Sequence, residues 1–337
     1  MKILVTGAKG FIGSHLVDRL KKSAYTSIDK GSVQRYDVIE WDRADGDLKQ
    51  PQTLPEVDVV IHLAAYNSTK EFYTKGFEVI KDNILSTINV LEHYKTQDKP
   101  PLFIYTGTPE SYAGATDFFD YKLPTDEACP LVVPDVKNIR WSYANSKALG
   151  EQAVIASGLP YQIIVPNNIY GPRQINHFVD EFIARAKKGD VELYGWDNTR
   201  SWLYVEDFTE AMERLIHCQA AVGEKINIGS NDEVQVLKLA EIIIEKMMQK
   251  ISTKNEKIFL IKDKKQKHNI FGIWSTSLEK ILEQDLNNNF RKVDLWADKI
   301  GCSYIEKDIK KENEFLNINT KEDLELAEKI YNKNDFL

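Results

Sequence analysis

A tyrosine and a lysine four residues apart are the side chains whose spacing most directly suggests chemistry. Tyr143 and Lys147 lie in a stretch with helical periodicity, so they share one helix face, one turn apart. A lysine cation about 4 Å from a phenol favours the phenolate by ~4 kcal/mol at an effective dielectric constant of about 20. If nothing opposes this interaction, it lowers the pKa of Tyr143 toward neutrality, and Tyr143 could then take a proton from a substrate hydroxyl.

Two polar residues come directly after a predicted buried strand at residues 102–106. Thr108 and Glu110 follow this strand, and the carboxyl ends of parallel strands are where α/β proteins place their sites. Thr108 is expected to hydrogen-bond the hydroxyl that Tyr143 deprotonates. Glu110 is either a further chemical group or a simple cap or surface acid.

A glycine-rich turn lies between the first predicted strand and the first predicted helix. Gly7 permits a tight turn, Gly10 lets a phosphate approach the main chain, and Gly13 lets the helix pack closely. Phe11 and Ile12 open that helix, whose N-terminus offers unpaired N–H groups to a pyrophosphate. The order of strand, glycine turn and helix predicts a dinucleotide site, and an ordinary glycine-rich turn is the alternative.

An acid about 20 residues past these glycines predicts which dinucleotide binds. Asp29 ends a predicted second strand at residues 25–28, where a carboxylate accepts hydrogen bonds from a ribose 2′-hydroxyl and repels a 2′-phosphate. This favours NAD over NADP, unless Asp29 is a solvated turn residue. The other predicted NAD contacts, besides Tyr143 and Lys147, are Asp47, Leu48, Leu63, Ala64, Ala65 and Asn83.

The alternation of strands and helices predicts an α/β fold, a doubly wound parallel Rossmann sheet with a smaller C-terminal α/β substrate domain. We expect an NAD-binding domain at residues 1–165 with a return segment at about 201–228. A substrate-binding region at 166–257 and a C-terminal segment at 258–337 follow.

Composition narrows the possible partners of the 337-residue chain. Its net charge of −7 argues against a nucleic-acid or anionic-membrane surface. The three cysteines are scattered, which indicates reduced thiols in the cytoplasm and neither disulfides nor a metal site. Met1 and Lys2 run straight into the first strand, so we expect no signal peptide, and no apolar run reaches the ~20 residues of a membrane span.

Several motifs together resemble the extended short-chain dehydrogenase/reductase family, over about residues 1–250. They are the glycine turn, the Tyr143–Lys147 pair, Asn168-x-Tyr170-Gly171-Pro172-Arg173 and Arg200-x-Trp202-x-Tyr204-Val205-x-Asp207. In particular the chain is similar to NAD-dependent nucleotide-sugar epimerases, dehydratases and decarboxylases. The resemblance implies oxidation of a sugar C4 hydroxyl by a tightly held NAD and a 4-keto intermediate.

The same resemblance implies roles for individual residues. Tyr143 would be the base, Lys147 its activator and Thr108 its hydroxyl partner. Asn168, Arg173 and Arg200 would line the pocket of a nucleotide-diphosphate sugar, and an exposed loop cation is the alternative for Arg200. The family also commonly forms homodimers through the helices near residues 76–96 and 142–157.

Glu110 bears on the reaction type. The resembling 4-epimerases usually have no acid there, whereas dehydratases and decarboxylases place a glutamate that can act at C5 or on a carboxylate. This favours dehydration or decarboxylation, with 4-epimerisation as the alternative. Pro109 stands where glucose 4,6-dehydratases carry an aspartic acid, and Pro166 where the family usually has an arginine. A catalytically silent NAD-binding scaffold and a simple reductase are further alternatives.

The C-terminal segment carries a second resemblance. Residues 258–332 are similar to the last third of molybdenum-cofactor guanylyltransferase-like nucleotidyltransferases, but the nucleotide-binding glycine-rich opening of that family is absent. Divergence within the dehydrogenase family is the alternative. The pattern predicts a strand at 258–261, helices at 277–286 and 293–300, and a last helix capped by Thr320.

Overall fold

The computed structural model describes residues 1–27, 32–67, 69–187, 192–251, 258–262, 267–274, 276–290 and 292–306. Its strands are β1 Lys2–Thr6, β2 Ala24–Ser27, β3 Ser32–Arg35, β4 Asp37–Trp41, β5 Val59–His62, β6 Leu102–Thr106, β7 Tyr161–Pro166, β8 Asn168–Tyr170, β9 Thr199–Tyr204, β10 Lys225–Ile228, β11 Glu233–Gln235, β12 Ile258–Lys262, β13 Lys267–Trp274 and β14 Cys302–Glu306. Its helices are α1 Phe11–Lys22, α2 Thr69–Phe72, α3 Gly76–Lys95, α4 Ala113–Phe119, α5 Ser142–Ala156, α6 Phe178–Ala186, α7 Val205–Ile216, α8 Val236–Ile251, α9 Glu279–Asn287 and α10 Val293–Ile300.

Six parallel strands form the central sheet in the order β10-β7-β6-β5-β1-β4. Ile3, Leu4 and Val5 of β1 are completely buried, as expected for a strand covered on both faces by helices. The parallel order with crossover helices confirms the predicted doubly wound Rossmann fold. Such a sheet gathers the loops after β1, β4, β5 and β6 at one edge.

The strand beside β1 differs from the sequence prediction. Residues 25–28 were expected there, but β2 pairs antiparallel with β3 in a separate two-stranded sheet. β4 lies beside β1 instead, with Lys2 opposite Asp37 and Thr6 opposite Trp41. The residue at the carboxyl end of the neighbouring strand is therefore Asp42, whereas Asp29 lies outside the described residues.

Helix α5 is fixed closely against the sheet and against α3. A Cβ on Gly150 would lie 2.1 Å from the Tyr105 hydroxyl oxygen, so only glycine lets the helix approach β6 this closely. On the α3 side, Asn83 Nδ2 donates to Ser146 Oγ at 3.0 Å. These contacts determine where the side chains on the inner face of α5 lie.

The chain divides into two compact units. The first comprises Met1–Glu181 and Gly195–Lys238, and the second comprises Phe182–Tyr194 and the described residues from Leu239 onward. The domain boundaries expected at residues 165 and 257 stay a prediction. Among the described residues, no helix is both long and apolar enough to span a bilayer.

The second unit contains a small core of its own. Its sheet has the order β13-β12-β14, and the rings of Trp274 and Trp296 stack with centroids 5.7 Å apart above buried Ile258 and Leu260. The strand and the two helices predicted between residues 258 and 300 are confirmed as β12, α9 and α10. The predicted last helix at Thr320 lies outside the described residues.

Candidate active site

A cavity of about 430 Å³ opens at the carboxyl ends of β1, β4 and β5. Seven of the predicted cofactor contacts line it: Gly7, Gly10, Asp47, Leu48, Leu63, Ala64 and Ala65. Residues that the sequence prediction did not include also line it: Lys9, Trp41, Asp42, Arg43, Gly46, Lys49, Tyr66, Asp82 and Ser86. The cavity thus extends from the glycine turn to the loop that follows β4.

The glycine turn has the geometry of an anion-binding turn. Gly7 has a φ of +69°, and a Cβ there would lie 2.9 Å from the Ala64 amide nitrogen. A Cβ on Gly13 would lie 2.1 Å from the Gly7 carbonyl oxygen, so α1 packs directly on the turn. Phe11 and Ile12 open α1, which has no side-chain cap and no acidic residue in its first turn. The positive helix end is therefore available to a phosphate.

Asp42 occupies the position where a Rossmann fold places its ribose-binding acid. It follows β4 and lines the cavity, and its Oδ2 accepts a hydrogen bond from the Lys9 amide at 3.0 Å. Its Oδ1 accepts from the amide of Arg43 at 2.9 Å. The sequence contained a signal for it, since residues 38–41 form a short strand-like run that ends at this acid.

Asn83 does not line the cavity. Its side chain is buried, and its Oδ1 accepts from the Tyr66 amide at 2.6 Å while its Nδ2 donates to Ser146. Asn83 therefore connects the loop after β5 to helix α5, so its direct contact is with the protein and any effect on a cofactor passes through Tyr66.

Tyr143, Thr108 and Glu110 lie close together in the structure. Tyr143 is in the first turn of α5, and the Thr108 hydroxyl hydrogen-bonds its phenol oxygen. The Thr108 oxygen accepts from the Glu110 amide at 3.4 Å. The Glu110 carboxylate is close enough to raise the pKa of Tyr143. Thr108 caps a 3₁₀ turn at Pro109–Tyr112, and this cap fixes Glu110 beside it.

The predicted lowering of the Tyr143 pKa is wrong for this structure. Burial raises the pKa of Tyr143 above its ordinary value, the Glu110 carboxylate raises it further, and the hydrogen bond from Thr108 opposes both only in part. Lys147 is buried as well, and burial lowers its pKa to about 7 despite the opposing effect of Glu151. The cation that would stabilise a phenolate is therefore itself destabilised by the same dry environment.

Charged and aromatic groups surround Lys147. Its Nζ lies 4.2 Å from the centroid of the Tyr105 ring. Glu151, one turn along α5, is almost fully buried, and its Oε2 forms a 2.7 Å ion pair with Lys225 Nζ. Its Oε1 is buried with no hydrogen-bond partner among the described residues.

The three residues predicted to contact a diphosphate lie in two places. Asn168 and Arg200 belong to the three-stranded sheet β11-β9-β8, where Asn168 Nδ2 donates to the Ser201 carbonyl at 3.1 Å and Arg200 Nη1 to the Thr199 carbonyl at 2.7 Å. Arg173 has a φ of +67°, and its guanidinium pairs with Asp18 of α1 at 2.7 Å. A diphosphate role for these residues stays a prediction.

Comparison with known proteins gives a family match over most of the chain. The model of the NAD dependent epimerase/dehydratase family matches residues 3–229. A trifunctional UDP-glucose 4,6-dehydratase/UDP-4-keto-6-deoxy-D-glucose 3,5-epimerase/UDP-4-keto-L-rhamnose-reductase of Arabidopsis thaliana is 32% identical over 266 residues, which are 72% of this chain and 38% of that protein. The chain thus spans well under half the length of this curated relative.

Two further proteins are similar over most of their own length. A UDP-N-acetyl-alpha-D-glucosaminuronate decarboxylase of Bacillus cytotoxicus is 32% identical over 72% of this chain and 79% of the relative. A UDP-glucuronic acid 4-epimerase of Bacillus cereus, solved with UDP-glucuronic acid and NAD, superposes with a TM-score of 0.59 at 25% identity over 74% of this chain and 83% of that one. These comparisons give no support to the resemblance of residues 258–332 to nucleotidyltransferases.

The burial of Lys147 predicts how stability depends on pH. The unfolded chain keeps the ordinary lysine pKa of 10.5, so between about pH 7 and 10.5 it binds one proton more than the folded protein at this site. We expect the free energy of unfolding of the wild type to rise by about 1.4 kcal/mol per pH unit in this range relative to Lys147→Met, and to run parallel to it below pH 7. Urea unfolding of both proteins at a series of pH values measures the difference, and parallel curves throughout would contradict a depressed pKa.

Proposed function

The chain belongs to the NAD dependent epimerase/dehydratase family, and from this premise we propose that it oxidises the C4 hydroxyl of a nucleotide-diphosphate sugar and acts on the resulting 4-keto sugar at C5. The observation that carries the proposal is the group of Tyr143, Thr108 and Glu110, whose Tyr143 packs in one cluster with Tyr66, a residue that lines the glycine-turn cavity. Tyr143 and Thr108 suit reaction at C4, and Glu110 adds a carboxylate that reaction at C4 alone does not need.

NAD is the cofactor, and the cavity fits it. The open end of α1 suits a pyrophosphate, because its first turn has neither a side-chain cap nor an acidic residue. We propose that Asp42 holds the adenosine ribose and that Asp47 and Leu48 border the adenine. Leu63, Ala64 and Ala65 would hold the central part of the molecule. When bound, NAD supplies the electron-pair acceptor for oxidation of the C4 carbon.

We propose that Tyr143 removes the C4 hydroxyl proton with help from Lys147. Tyr143 is a phenol at rest because its pKa is raised, so it must first lose its own proton. Lys147, whose pKa is about 7, is partly neutral near that pH and lies one helical turn away on the same face. Once Lys147 holds the proton, its charge and the hydrogen bond from Thr108 both stabilise the phenolate.

Glu110 would then act at C5. A ketone at C4 makes the C5 proton acidic, and a carboxylate two residues past Thr108 is placed to abstract it or to orient a carboxylate for loss as CO₂. Dehydration also needs a proton for the departing hydroxyl group, and Pro109 has none to give. Neither decarboxylation nor removal of the C5 proton alone has this requirement, so Pro109 counts against dehydration only.

The sugar nucleotide is proposed to bind over the sheet β11-β9-β8, where Asn168 and Arg200 are exposed. A guanidinium matches a diphosphate in both charge and geometry. Arg173 would need to leave its ion pair with Asp18 to take part. Free Cys129, Cys218 and Cys302 fit our proposal that the reaction takes place in the reducing cytoplasm.

We also propose a homodimer that forms through α3 and α5. These helices pack on each other and expose apolar side chains to solvent: Phe77, Ile80, Leu85 and Ile88 on α3, and Leu149 and Ile155 on α5. A contiguous apolar surface on a globular unit is characteristic of an interface.

Removal of the Tyr143 hydroxyl tests the reaction. We expect Tyr143→Phe to lower the rate of C4 oxidation by about 10²–10⁴-fold, since a positioned proton-transfer group contributes that much. Product masses from a panel of UDP- and dTDP-sugars identify the chemistry: loss of water, loss of CO₂, or unchanged mass with altered retention. Unchanged turnover in Tyr143→Phe would contradict the mechanism, and no turnover of any sugar by the wild type would favour a silent scaffold.

A pair of aspartate variants tests the cofactor site. We expect Asp42→Asn to weaken NAD binding by about tenfold or more, because hydrogen bonds to a charged group contribute about 1.5–3 kcal/mol. Calorimetric titration of nucleotide-free protein with NAD measures this. Asp29→Asn is the matched control and should bind NAD as the wild type does. If only Asp29→Asn binds NAD more weakly, Asp29 and not Asp42 holds the ribose, as the sequence predicts.

Light scattering tests the homodimer. We expect a mass twice that of one chain for the wild type and a single-chain mass for Ile88→Lys, because a charge in an apolar interface is left without a partner. Val33→Lys, an exposed apolar residue on β3, serves as the control and should stay dimeric. A wild-type monomer would remove the proposal.

A further inference from the structure

Glu110 is held by an arginine that the sequence analysis assigned no role. Arg140 Nη1 donates to Glu110 Oε2 at 2.7 Å, across 30 residues of sequence. Both ends of this ion pair are fixed by local caps. The Glu110 amide donates to Thr108 Oγ1, and the Arg140 amide donates to Asn138 Oδ1 at 3.1 Å at the start of a 3₁₀ turn, Ile139–Trp141. The carboxylate is therefore restrained at its backbone and at its tip.

The same guanidinium is part of a stack that ends on Tyr143. Arg140 Cζ lies 5.4 Å from the centroid of the Phe72 ring, and Phe72 stacks on Tyr143 with centroids 4.7 Å apart and planes within 7°. Phe72 is completely buried, so it acts as a rigid spacer between the two. A guanidinium over an aromatic face is attracted by the ring quadrupole. Arg140 thus contacts both the Glu110 carboxylate and the ring that stacks on Tyr143, so it links the position of the carboxylate to that of the phenol.

This geometry determines which oxygen of Glu110 can react. Arg140 donates to Oε2, so a proton that leaves a substrate carbon would be taken by Oε1. Rotation of the Glu110 carboxylate about the bond that joins it to the side chain would require the ion pair with Arg140 to break. The half-buried setting of both partners makes the pair more restrictive than an exposed one, where solvent competes for each charge.

We propose that Arg140 is the positioning residue for Glu110, aiming its carboxylate at the C5 hydrogen of the 4-keto sugar whose C4 oxygen faces Tyr143. The inference rests on the proposed function. In it, Arg140 affects the reaction that follows C4 oxidation, through the position of Glu110. In the step concerned, Glu110 Oε1 takes the C5 proton and the electron pair of that C–H bond passes to the C4 carbonyl as an enolate. Glu110 then releases that proton to solvent, and return of a solvent-derived proton to C5 restores the ketone and leaves the carboxylate free again.

Two assays on Arg140→Gln and Arg140→Lys separate positioning from a merely structural role. The first supplies UDP-4-keto-6-deoxy-D-glucose directly in D₂O and follows deuterium at C5 by mass spectrometry, so that it does not depend on C4 oxidation. The second follows C4 oxidation of UDP-sugars by near-ultraviolet absorbance. Arg214→Gln, which removes an exposed pair with Glu210 on α7, is the matched control. Thermal melting checks that each variant folds.

We expect Arg140→Gln to slow C5 exchange by about 10²-fold, the effect of a reacting group displaced by about 1 Å, while C4 oxidation changes by less than about threefold. Arg140→Lys should recover part of the exchange because it keeps the charge but not the planar stack. Equal loss in both assays, unchanged exchange in Arg140→Gln, or no exchange by the wild type would each overturn the inference. Absence of C4 oxidation in the wild type with exchange intact would instead contradict the proposed function alone.

Discussion

Burial of two ionisable groups on the inner face of α5 is the constraint on which the rest of the site depends. Tyr143 and Lys147 are both almost fully buried, and in such surroundings the charged form of each is costly. The fold balances this cost with specific neighbours. The Tyr105 ring lies against the Lys147 ammonium, and the Glu151–Lys225 ion pair lies one turn farther along. Gly150 lets all of them pack, because any side chain there would separate α5 from β6.

Burial also explains why the tyrosine and the lysine must be treated as a unit. A lone phenol with a raised pKa is a poor base, and a lone lysine with a pKa of about 7 is a poor fixed cation. In the proposed mechanism the phenol therefore ionises only with a neighbour that compensates its charge, and Lys147, one helical turn away, is the residue to which we assign that part. A dry site strengthens that compensation, since the interaction between charges grows as the dielectric constant falls.

Local sequence patterns were sufficient to predict the parts of the site built from consecutive residues. The turn at Gly7 to Gly13, the strand before Thr108 and the helix with Tyr143 are each formed within about 20 residues, and periodicity and glycine spacing report such structure well. The order of the strands at the edge of the sheet could not be predicted from local patterns. The sequence predicts short strands at both 25–28 and 38–40, and only pairing with β1 decides which of them joins the sheet. Asp42 was missed for this reason.

Contacts between distant residues account for the other differences. The expected lowering of the Tyr143 pKa considered only its helix, whereas burial and Glu110 decide its direction. Arg173 pairs with Asp18 across 155 residues, which no local pattern reports.

Neighbouring residues of the short turn after β6 differ in the chemical groups that they offer. Thr108 uses its oxygen to cap the turn and its hydroxyl to bond Tyr143, so in the proposed mechanism it takes part in the reaction at C4. Pro109 begins the turn, where its missing N–H costs nothing, and it has no group to exchange a proton. Any reaction beyond C4 that starts from this turn therefore falls to Glu110, and Glu110 is held from outside the turn by Arg140. Under our proposal, the choice between inversion at C4 and reaction at C5 depends on this ion pair, which joins two segments that the fold, and not the local sequence, brings together.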